Sequence, residues 1–466
     1  MTVPFVSIIV LNYNGLRFLD DCLGSLARLD YPSDRYEVVL VDNVSQDGSA
    51  DIAQERFPWV RIVRNSRNLG FAAGNNVAMR GSSADYVVLL NNDTAVDCQW
   101  LARLVDAAEK DPRIGICTSK LLFKHRRARI RMETALFRPS EYGSSDEREL
   151  GVQIYQAQTQ QAGEIRPVEY LDGFYGIESS PNGPFRWSKP LATFGLRLIP
   201  NGMAARLALC VAAPQPNMAT RLTICDGETA LGEWEVGANP EEILVDLPQS
   251  LADKALPVIQ NAGTLILKDG SGRDRGTLVR GTEVYQEDDL GQYARQEEVF
   301  AGCGAALLLR KTMLEDVGLF DEDFFMYYED MDLSWRARRR GWKVIYVPEA
   351  VVHHVHAGSS VEWSPFFIYH VECSRLLMLG KNAPFGLAAQ EHLRYLASAA
   401  MTFGRFARSI ALRSPDRQLL GQRAWTQLRV MAFLVGQLPR TLAKRHNLAK
   451  RDLVDASKLL DWMVSA

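Results

Sequence analysis

The chain has 466 residues, more than one hydrophobic core usually organises, so two or three domains are expected. Hydrophobic residues make up 47% and charged residues 23%, a composition that excludes an intrinsically disordered chain. The formal net charge of −3 gives no general reason to expect a nucleic-acid partner.

Charge is unevenly distributed along the chain. From Phe385 to the C-terminus there are 13 Lys and Arg against 5 Asp and Glu, so this part carries +8 and residues 1–384 carry −11. A basic C-terminal part indicates contact with an anionic surface such as a membrane. The N-terminus shows no basic leader, and no run of about 18 apolar residues occurs. These features predict a cytoplasmic protein with peripheral contact at the cytoplasmic face of the membrane.

The first 125 residues alternate predicted strands with predicted helices. The predicted strands are Val6–Leu11, Glu37–Val41, Val60–Arg64 and Tyr86–Leu90, and the predicted helices are Phe18–Leu29, Gly48–Phe57 and Ala72–Arg80. This alternation indicates a parallel, doubly wound α/β sheet, in which ligands bind beyond the carboxyl ends of the strands. Because Asn12, Asp42 and Asp93 each follow such a strand, we expect them at one edge of the sheet.

The pattern changes between residues 128 and 280, where short β runs replace the helical periodicity. Three of these runs are Arg221–Cys225, Ile243–Leu247 and Thr264–Lys268. Several short strands separated by turns predict a β-sandwich inserted into the first domain. Its aromatic residues could bind a glycan, but core packing is the favoured interpretation.

These changes divide the chain into four predicted segments. Residues 1–127 and 281–384 are predicted to form the two halves of the α/β domain. Residues 128–280 form the inserted β-rich domain, and residues 385–466 form a basic amphipathic tail. Helices are predicted in the tail over Leu387–Phe406, Arg417–Leu438 and Arg451–Met463. The tail could lie on a membrane, form a helical subdomain or form a dimer surface, and the sequence leaves these alternatives open.

Two segments of the first half have polar residues suited to binding a nucleotide. Asp42 ends a buried strand, where a carboxylate is costly unless it is paired. It could accept a hydrogen bond from a uracil or thymine base, or it could cap the following turn. The segment Asn68–Asn76 combines glycines with amide side chains, so its backbone could approach a ligand, although a plain turn is the more common role.

Two other segments suit a divalent cation. Asn91-Asn92-Asp93 follows an apolar strand, and carboxylate and amide oxygens suit Mg²⁺ or Mn²⁺. An Asx turn is the alternative. His354 lies with His353 and His356 after another predicted strand, and neutral imidazole suits Mn²⁺ or Zn²⁺ better than Mg²⁺.

The most informative cluster lies between Gly318 and Arg336. Six carboxylates stand there among Phe and Tyr residues, directly before a predicted helix rich in arginine. A solvated helical face would not need these aromatic residues. Aromatic rings suit sugar rings, and they raise the basicity of a neighbouring carboxylate by excluding water. The cluster therefore predicts an acid or base that acts on a carbohydrate.

Taken together, these segments resemble family 2 glycosyltransferases, which have the GT-A fold and invert configuration, and especially the rhamnosyltransferase-like branch. The resemblance covers about Val6–Phe123 and Asp289–Pro384. The motifs that carry it are Val-Ser-Ile-Ile-Val-Leu-Asn-Tyr-Asn-Gly, Val-Asp-Asn, Asn-Leu-Gly-Phe-Ala-Ala-Gly-Asn-Asn, Leu-Asn-Asn-Asp and Phe-Asp-Glu-Asp-Phe-Phe-Met-Tyr-Tyr-Glu-Asp-Met-Asp-Leu-Ser-Trp-Arg. Their order and spacing make the likeness specific.

The resemblance implies a role for particular residues. Asp330 corresponds to the catalytic base, and Asp93 and His354 correspond to the metal ligands. Asn91 stands where the family's metal motif begins with a carboxylate, so the metal is expected to bind less tightly through that motif. The residues implied for the acceptor are Tyr327, Glu329 and Asp332, and those implied for the nucleotide sugar are Asn12, Asp42, Asn43, Asn68, Asn91, Asn92, Gly302 and Arg336.

The resemblance implies an inverting transfer of a sugar from a nucleotide diphosphate to a hydroxyl of a glycan or lipid-linked acceptor, in the synthesis of a surface polysaccharide. The expected donor is dTDP-rhamnose or a UDP-hexose, and the expected cofactor is Mn²⁺ or Mg²⁺. The alternative is a non-catalytic protein that binds a nucleotide or glycan on the same scaffold. A processive synthase would need membrane-spanning helices, which the sequence does not show.

Overall fold

The computed structural model describes residues 3–200, 203–213, 219–280, 283–355, 363–455 and 457–465. The chain divides into two compact units. The first comprises Met1–Leu122, Ile259–Glu287 and Gly291–Ala466, and the second comprises Phe123–Val258 and Asp288–Leu290. In this division residues 259–280 belong to the first unit, whereas the sequence analysis placed them in the insert.

The helices and strands have the following bounds. The strands are β1 (Val6–Asn12), β2 (Tyr36–Asp42), β3 (Arg61–Arg64), β4 (Tyr86–Asn91), β5 (Thr94–Val96), β6 (Ile114–Thr134), β7 (Gln153–Gln161), β8 (Glu164–Pro167), β9 (Glu169–Ser180), β10 (Gly183–Leu198), β11 (Ala205–Ala212), β12 (Thr220–Asp226), β13 (Thr229–Val236), β14 (Glu241–Leu247), β15 (Leu256–Asn261), β16 (Thr264–Leu267), β17 (Gly272–Asp274), β18 (Thr277–Arg280), β19 (Glu283–Gln286), β20 (Glu297–Glu298), β21 (Ala306–Arg310), β22 (Lys343–His354) and β23 (Met463–Val464). The helices are α1 (Leu19–Leu26), α2 (Ser49–Arg56), α3 (Gly70–Gly81), α4 (Trp100–Glu109), α5 (Gln249–Asp253), α6 (Lys311–Val317), α7 (Glu329–Arg339), α8 (Pro365–Asn382), α9 (Phe385–Ala411) and α10 (Arg417–Ala449).

The first unit is built on a sheet whose strands β3, β2, β1 and β4 are parallel, with β21 added antiparallel to β4. Alternate residues of a strand point to opposite faces, and both faces are apolar here. Ile9 packs in one core cluster, whereas its neighbours Ile8 and Val10 pack in the other. The register sets Asn12 beside Asp42, and the chain beyond β4 leads to Asp93 at the same edge. The α/β architecture and this edge are therefore as predicted.

The second unit consists of antiparallel strands around one core. Strands β9, β10, β6, β12 and β13 pair in that order. Strands β8, β7, β11 and β14 form a second series, which β10 joins through β7. Side chains of both series, including Phe194 and Leu209, fill the same buried cluster. The second unit is therefore β-rich, and the inserted β-sandwich stays a prediction.

The C-terminal helices depart from the sequence analysis in three ways. Helix α8 was not predicted. Helix α10 continues to Ala449 through Pro439, because its packing against α8 and α9 outweighs the one backbone hydrogen bond that proline removes. The predicted helix Arg451–Met463 is wrong, since a 3₁₀ turn at Lys458–Trp462 leads into β23, which pairs with β16. Within the described residues, no helix is both long and apolar enough to cross a membrane.

Candidate active site

Polar side chains meet at the carboxyl ends of β1, β2 and β4. Asn12 Nδ2 donates to Asp42 Oδ1 at 3.3 Å and to Ser49 Oγ at 2.7 Å, and Asn92 Nδ2 donates to Asn12 Oδ1 at 2.8 Å. The backbone N–H of Ser45 donates to Asp42 Oδ2 at 3.2 Å. Asp42 is 5% exposed, so its carboxylate caps the turn after β2 while lying at the sheet edge.

A cavity of about 160 Å³ opens beside this edge. Amide side chains and aromatic rings line it: Tyr13, Asn43, Asn68, Phe71, Asn91, Asn92, Phe325 and Phe366. Asn43 Nδ2 donates to the carbonyl of Gly70 at 2.9 Å, which fixes the amide. Gly70 has a φ of +75°, and a Cβ there would lie 2.3 Å from the Phe325 carbonyl oxygen, so this position requires glycine. Neutral amides beside aromatic rings suit a flat heterocyclic base.

A larger cavity of about 440 Å³ adjoins the first and shares Phe71, Asn91, Asp93 and Met326 with it. The other polar and aromatic residues of its wall are Gln260, Thr264, Asp274, Tyr327, Tyr328, Glu329, Asp330, His354 and Phe367. Residues from distant parts of the sequence, between Phe71 and Val371, contribute to this wall. The structure thus brings together Asn91, Asp93, Tyr327, Glu329, Asp330 and His354, which the sequence analysis had named as site residues.

Asp93 and His354 form a buried pair in the wall of the larger cavity. His354 Nε2 lies 3.0 Å from Asp93 Oδ1, and His354 Nδ1 lies 2.8 Å from Gln260 Oε1. The exposed fractions are 7% for Asp93, 5% for His354 and 4% for Gln260. Because an amide oxygen only accepts hydrogen bonds, Nδ1 carries a proton and Nε2 is directed at the carboxylate. A carboxylate oxygen and an imidazole nitrogen therefore converge, as the ligands of a divalent cation do.

Asp330 and Glu329 begin helix α7 and face the same cavity. Asp330 Oδ2 accepts from the backbone N–H of Gly304 at 2.8 Å, and Oδ1 accepts from that of Met331 at 2.7 Å. Burial raises the pKa of Asp330 to about 6, although these two N–H groups lower it. Burial, and then the charge of Asp330, raise the pKa of Glu329 well above its ordinary value. Among the described residues, the buried Glu329 Oε2 has no hydrogen-bond partner.

The two residues before Glu329 have an unusual backbone conformation. Tyr327 and Tyr328 both lie in the left-handed region, with φ values of +66° and +65°. The Tyr328 hydroxyl accepts from the N–H of Gly272 at 3.2 Å, and the Tyr327 ring packs 5.1 Å from that of Phe367. Such strain persists only where the surrounding structure holds it, and it concentrates at functional sites. Here it turns the chain so that both tyrosines and both carboxylates face one cavity.

Five predicted site residues do not line either cavity. Asn12 and Asp42 lie at the sheet edge described above, and the others are Asp332, Arg336 and Gly302. Asp332 Oδ2 accepts from Arg336 Nε at 2.8 Å, and its Oδ1 accepts from Lys381 Nζ at 2.5 Å. Asp332 and Arg336 are buried, and with Lys381 they join α7 to α8. Gly302 is buried and does not line the larger cavity, although its neighbours Cys303 and Gly304 do.

Two segments of the chain match known protein families. Residues 7–160 match glycosyl transferase family 2, and residues 274–375 match glycosyltransferase like family 2. These segments contain Asp93, Glu329, Asp330 and His354, which the fold brings to one cavity. Both matched segments belong to glycosyltransferase family 2.

Individual relatives share parts of this chain. Glycosyltransferase AglE of Haloferax volcanii is 34% identical over 105 residues, which are 22% of this chain and 34% of that protein. The N-acetylglucosaminyl-diphospho-decaprenol L-rhamnosyltransferase of Mycobacterium tuberculosis is 31% identical over 160 residues, or 29% of this chain and 50% of that protein. The matched region thus spans half or less of each relative. The solved structure of GalNAc-T7 with UDP, GalNAc and Mn²⁺ covers 81% of this chain and 50% of that chain at 13% identity, with a TM-score of 0.41.

Several residues of the larger cavity were not predicted from the sequence, and two of them, Gln260 and Thr264, precede the second matched segment, which begins at residue 274. Gln260 and Thr264 lie on β15 and β16, and Asp274 ends β17. A usable signal existed, because the polar pair Gln260-Asn261 follows an apolar strand, as Asn91-Asn92 does. The prediction that residues 128–280 form one insert hid this signal. Phe367 lies on α8, which was not predicted.

The cavity walls have acidic side chains and, among the described residues, no Lys or Arg, which bears on whether the site could hold a divalent cation. The described residues also contain no group of three or more His, Cys, Asp and Glu placed to hold a metal ion. Asp93 and His354 fit a divalent cation as two ligands, provided that a bound substrate and water complete its coordination. His356, part of the histidine cluster noted in the sequence, lies outside the described residues.

Proposed function

We propose that this chain transfers a sugar from a nucleotide diphosphate to an acceptor hydroxyl, with inversion at the anomeric carbon. The observation that carries the proposal is the shared cavity. Asp330, a half-buried carboxylate of raised pKa, and the Asp93–His354 pair lie in the wall of the same space of about 440 Å³. A single carboxylate base on one side and a cation site on the other fit a single displacement.

The donor would lie across the two cavities. The amide and aromatic wall of the smaller cavity suits the base, with Asn43 and Asn68 as hydrogen-bonding groups. The diphosphate would lie at Asp93, where no described Lys or Arg of the wall can neutralise it. Mn²⁺ or Mg²⁺ held by Asp93 and His354 would supply that positive charge and stabilise the leaving group.

The reaction would proceed in one step. Asp330 takes the proton of the acceptor hydroxyl, and the hydroxyl oxygen forms a bond to the anomeric carbon. The bond from that carbon to the diphosphate oxygen breaks, and its electron pair leaves with the nucleoside diphosphate. Glu329, whose Oε2 has no partner among the described residues, would hold the acceptor beside Asp330. No second carboxylate attacks the sugar, so its configuration inverts.

The favoured donor is dTDP-rhamnose or a UDP-hexose, and the favoured acceptor is a glycan or lipid-linked sugar of a surface polysaccharide. The match with a mycobacterial rhamnosyltransferase supports this choice. The direct experiment measures donor hydrolysis by the purified protein with dTDP-rhamnose, UDP-glucose, UDP-galactose and GDP-mannose. If neither hydrolysis nor calorimetric binding of any pyrimidine diphosphate occurs with Mn²⁺ present, the donor site is wrongly assigned.

We expect kcat/KM to depend on pH through Asp330. The base must be ionised, and burial raises its pKa to about 6. The rate should therefore fall about tenfold per pH unit below pH 6 and level off above it. Initial rates with the donor that the hydrolysis experiment identifies, measured between about pH 4.5 and 7.5 (about 1.5 units on either side of that pKa), check this prediction. A midpoint near the ordinary aspartate value would show that Asp330 is not the base.

We expect Gln260→Leu to weaken Mn²⁺ binding about 10- to 100-fold, because Gln260 fixes the orientation and tautomer of His354. Gln260→Glu keeps an acceptor oxygen and should retain most of the affinity. Titration of free Mn²⁺ by electron paramagnetic resonance, with UDP present, measures this without turnover. Gln54→Leu, on the exposed side of α2, is the control. Equal affinity in the Leu and Glu variants would contradict the positioning role.

A further inference from the structure

The helices α9 and α10 form a hairpin with a large exposed apolar surface. An apolar groove of about 380 Å³ runs between α8, α9 and α10. Its rim consists of exposed side chains, with exposed fractions of 74% for Phe385, 49% for Leu396, 72% for Val435, 52% for Leu438 and 52% for Leu442. On α10 the exposed residues Trp425 and Leu428 extend this line of apolar residues at helical spacing. A continuous apolar surface of this kind marks an interaction site.

The connected end of the same hairpin is strongly basic. We call residues 401–423 the basic tip; it comprises the end of α9, the turn and the start of α10. It contains five arginines and one acidic residue, Asp416. Within the described part of the chain, none of the side chains of Arg405, Arg408, Arg413, Arg417 and Arg423 forms an ion pair, and all five residues are exposed. Met401, Ile410, Leu412 and Leu419 are exposed among them.

We propose that the apolar groove and the basic tip bind the surface of an anionic lipid bilayer. Exposed apolar side chains can enter the boundary between headgroups and acyl chains, while unpaired arginines attract the anionic headgroups. A second copy of the chain fits less well. A parallel two-fold contact would bring two identical basic tips together, and an antiparallel one would set each tip against the end of the hairpin that carries Arg440 and Arg445, so like charges would oppose both. The five exposed arginines of the basic tip, against one acidic residue, therefore favour lipid as the partner.

This surface would hold the chain where a lipid-linked acceptor lies, a consequence that rests on the proposed function. The binding itself does not. It is measured without donor or acceptor, so a failure to bind leaves the proposed transfer untouched, and a failure of transfer leaves the binding result untouched.

The experiment is co-sedimentation of the full chain with vesicles of phosphatidylcholine alone or mixed equally with phosphatidylglycerol. We expect binding to the mixed vesicles that falls at high salt, and at least about tenfold weaker binding to phosphatidylcholine. Val435→Glu/Leu438→Glu and Arg405→Glu/Arg408→Glu should each reduce binding at least about tenfold. Ile177→Glu/Leu244→Glu, which changes exposed apolar residues outside the hairpin, should bind like the wild type.

Circular dichroism and thermal unfolding establish that the variants fold, and all substituted residues are exposed. Two results would overturn the proposal. One is a wild-type chain that stays in solution with mixed vesicles at low salt. The other is a dimer, detected by light scattering, that dissociates in Val435→Glu/Leu438→Glu. That dimer would make the groove an interface between copies of the chain.

Discussion

Replacing Asp330 with Asn should lower kcat about 10²- to 10⁴-fold, the range expected for loss of a general base. Asparagine has nearly the same shape but only one side-chain oxygen, so it can accept from either Gly304 or Met331 and not from both, and it cannot take a proton. The affinity for the nucleotide donor should stay within about twofold, because Asp330 does not line the smaller cavity. Steady-state rates and calorimetric donor titration check the two parts separately.

The same substitution should make the thermal midpoint of unfolding less sensitive to pH between about 4 and 6. Burial raises the folded-state pKa of Asp330 above that of the unfolded chain, so its contribution to stability is present below about pH 4 and is lost as the pH rises through about 6. Asn does not titrate, so it removes this pH dependence. Glu322→Gln, at an exposed carboxylate of the same motif, is the control and should change kcat by less than about threefold. A stable, folded Asp330→Asn protein with normal kcat would rule out the assigned base.

Removing the divalent cation should abolish transfer, with a loss on the order of 10³-fold or more. The reason is the absence of Lys and Arg among the described residues of the cavity walls, which leaves no other charge to stabilise the departing diphosphate. EDTA should stop the reaction, and Mn²⁺ should restore it. Asp93→Ala and His354→Ala should show the same loss at ordinary Mn²⁺ concentrations.

The matched control for these two variants is Asp97→Ala. Asp97 and Asp93 lie at opposite ends of β5, but the Asp97 side chain is half-exposed and lies next to His353. The Asp97→Ala protein should keep its activity and its Mn²⁺ affinity. Full activity in EDTA would contradict the cation site. So would an Asp93→Ala protein whose activity and Mn²⁺ affinity both match the wild type, whereas a loss of activity with unchanged Mn²⁺ affinity would move Asp93 from the metal to the substrate.

Much of the first unit could be predicted from the sequence because its signals are local. Buried parallel strands are short apolar runs, and the polar residues that end β1, β2 and β4 mark the binding edge. The C-terminal part was less predictable, because tertiary contacts override local preference there. Pro439 should end a helix, yet α10 continues past it, and Met463 pairs with Ile266 in a small sheet.

The candidate site shows the same division. Asp93, His354, Glu329 and Asp330 lie in recognisable sequence motifs, and they were predicted as site residues for that reason. Gln260, Asp274 and Phe367 were not, because their roles arise from strand pairing and helix packing between distant segments. Burial also gives two predicted ligand-binding residues a structural role. Asp332 and Arg336 belong to the most distinctive motif, yet in the structure they form ion pairs beneath the site, which no sequence pattern distinguishes from a surface pair.

The left-handed backbone of Tyr327 and Tyr328 has a consequence for how this chain would evolve. Each non-glycine residue in that conformation costs on the order of 1–3 kcal/mol. Selection for thermostability alone should therefore enrich glycine or asparagine at these two positions and erode the wall that their rings provide. Selection for turnover should keep the tyrosines. Deep mutational scanning under the two regimes would separate them, and positions 327 and 328 would then record which pressure a lineage has experienced.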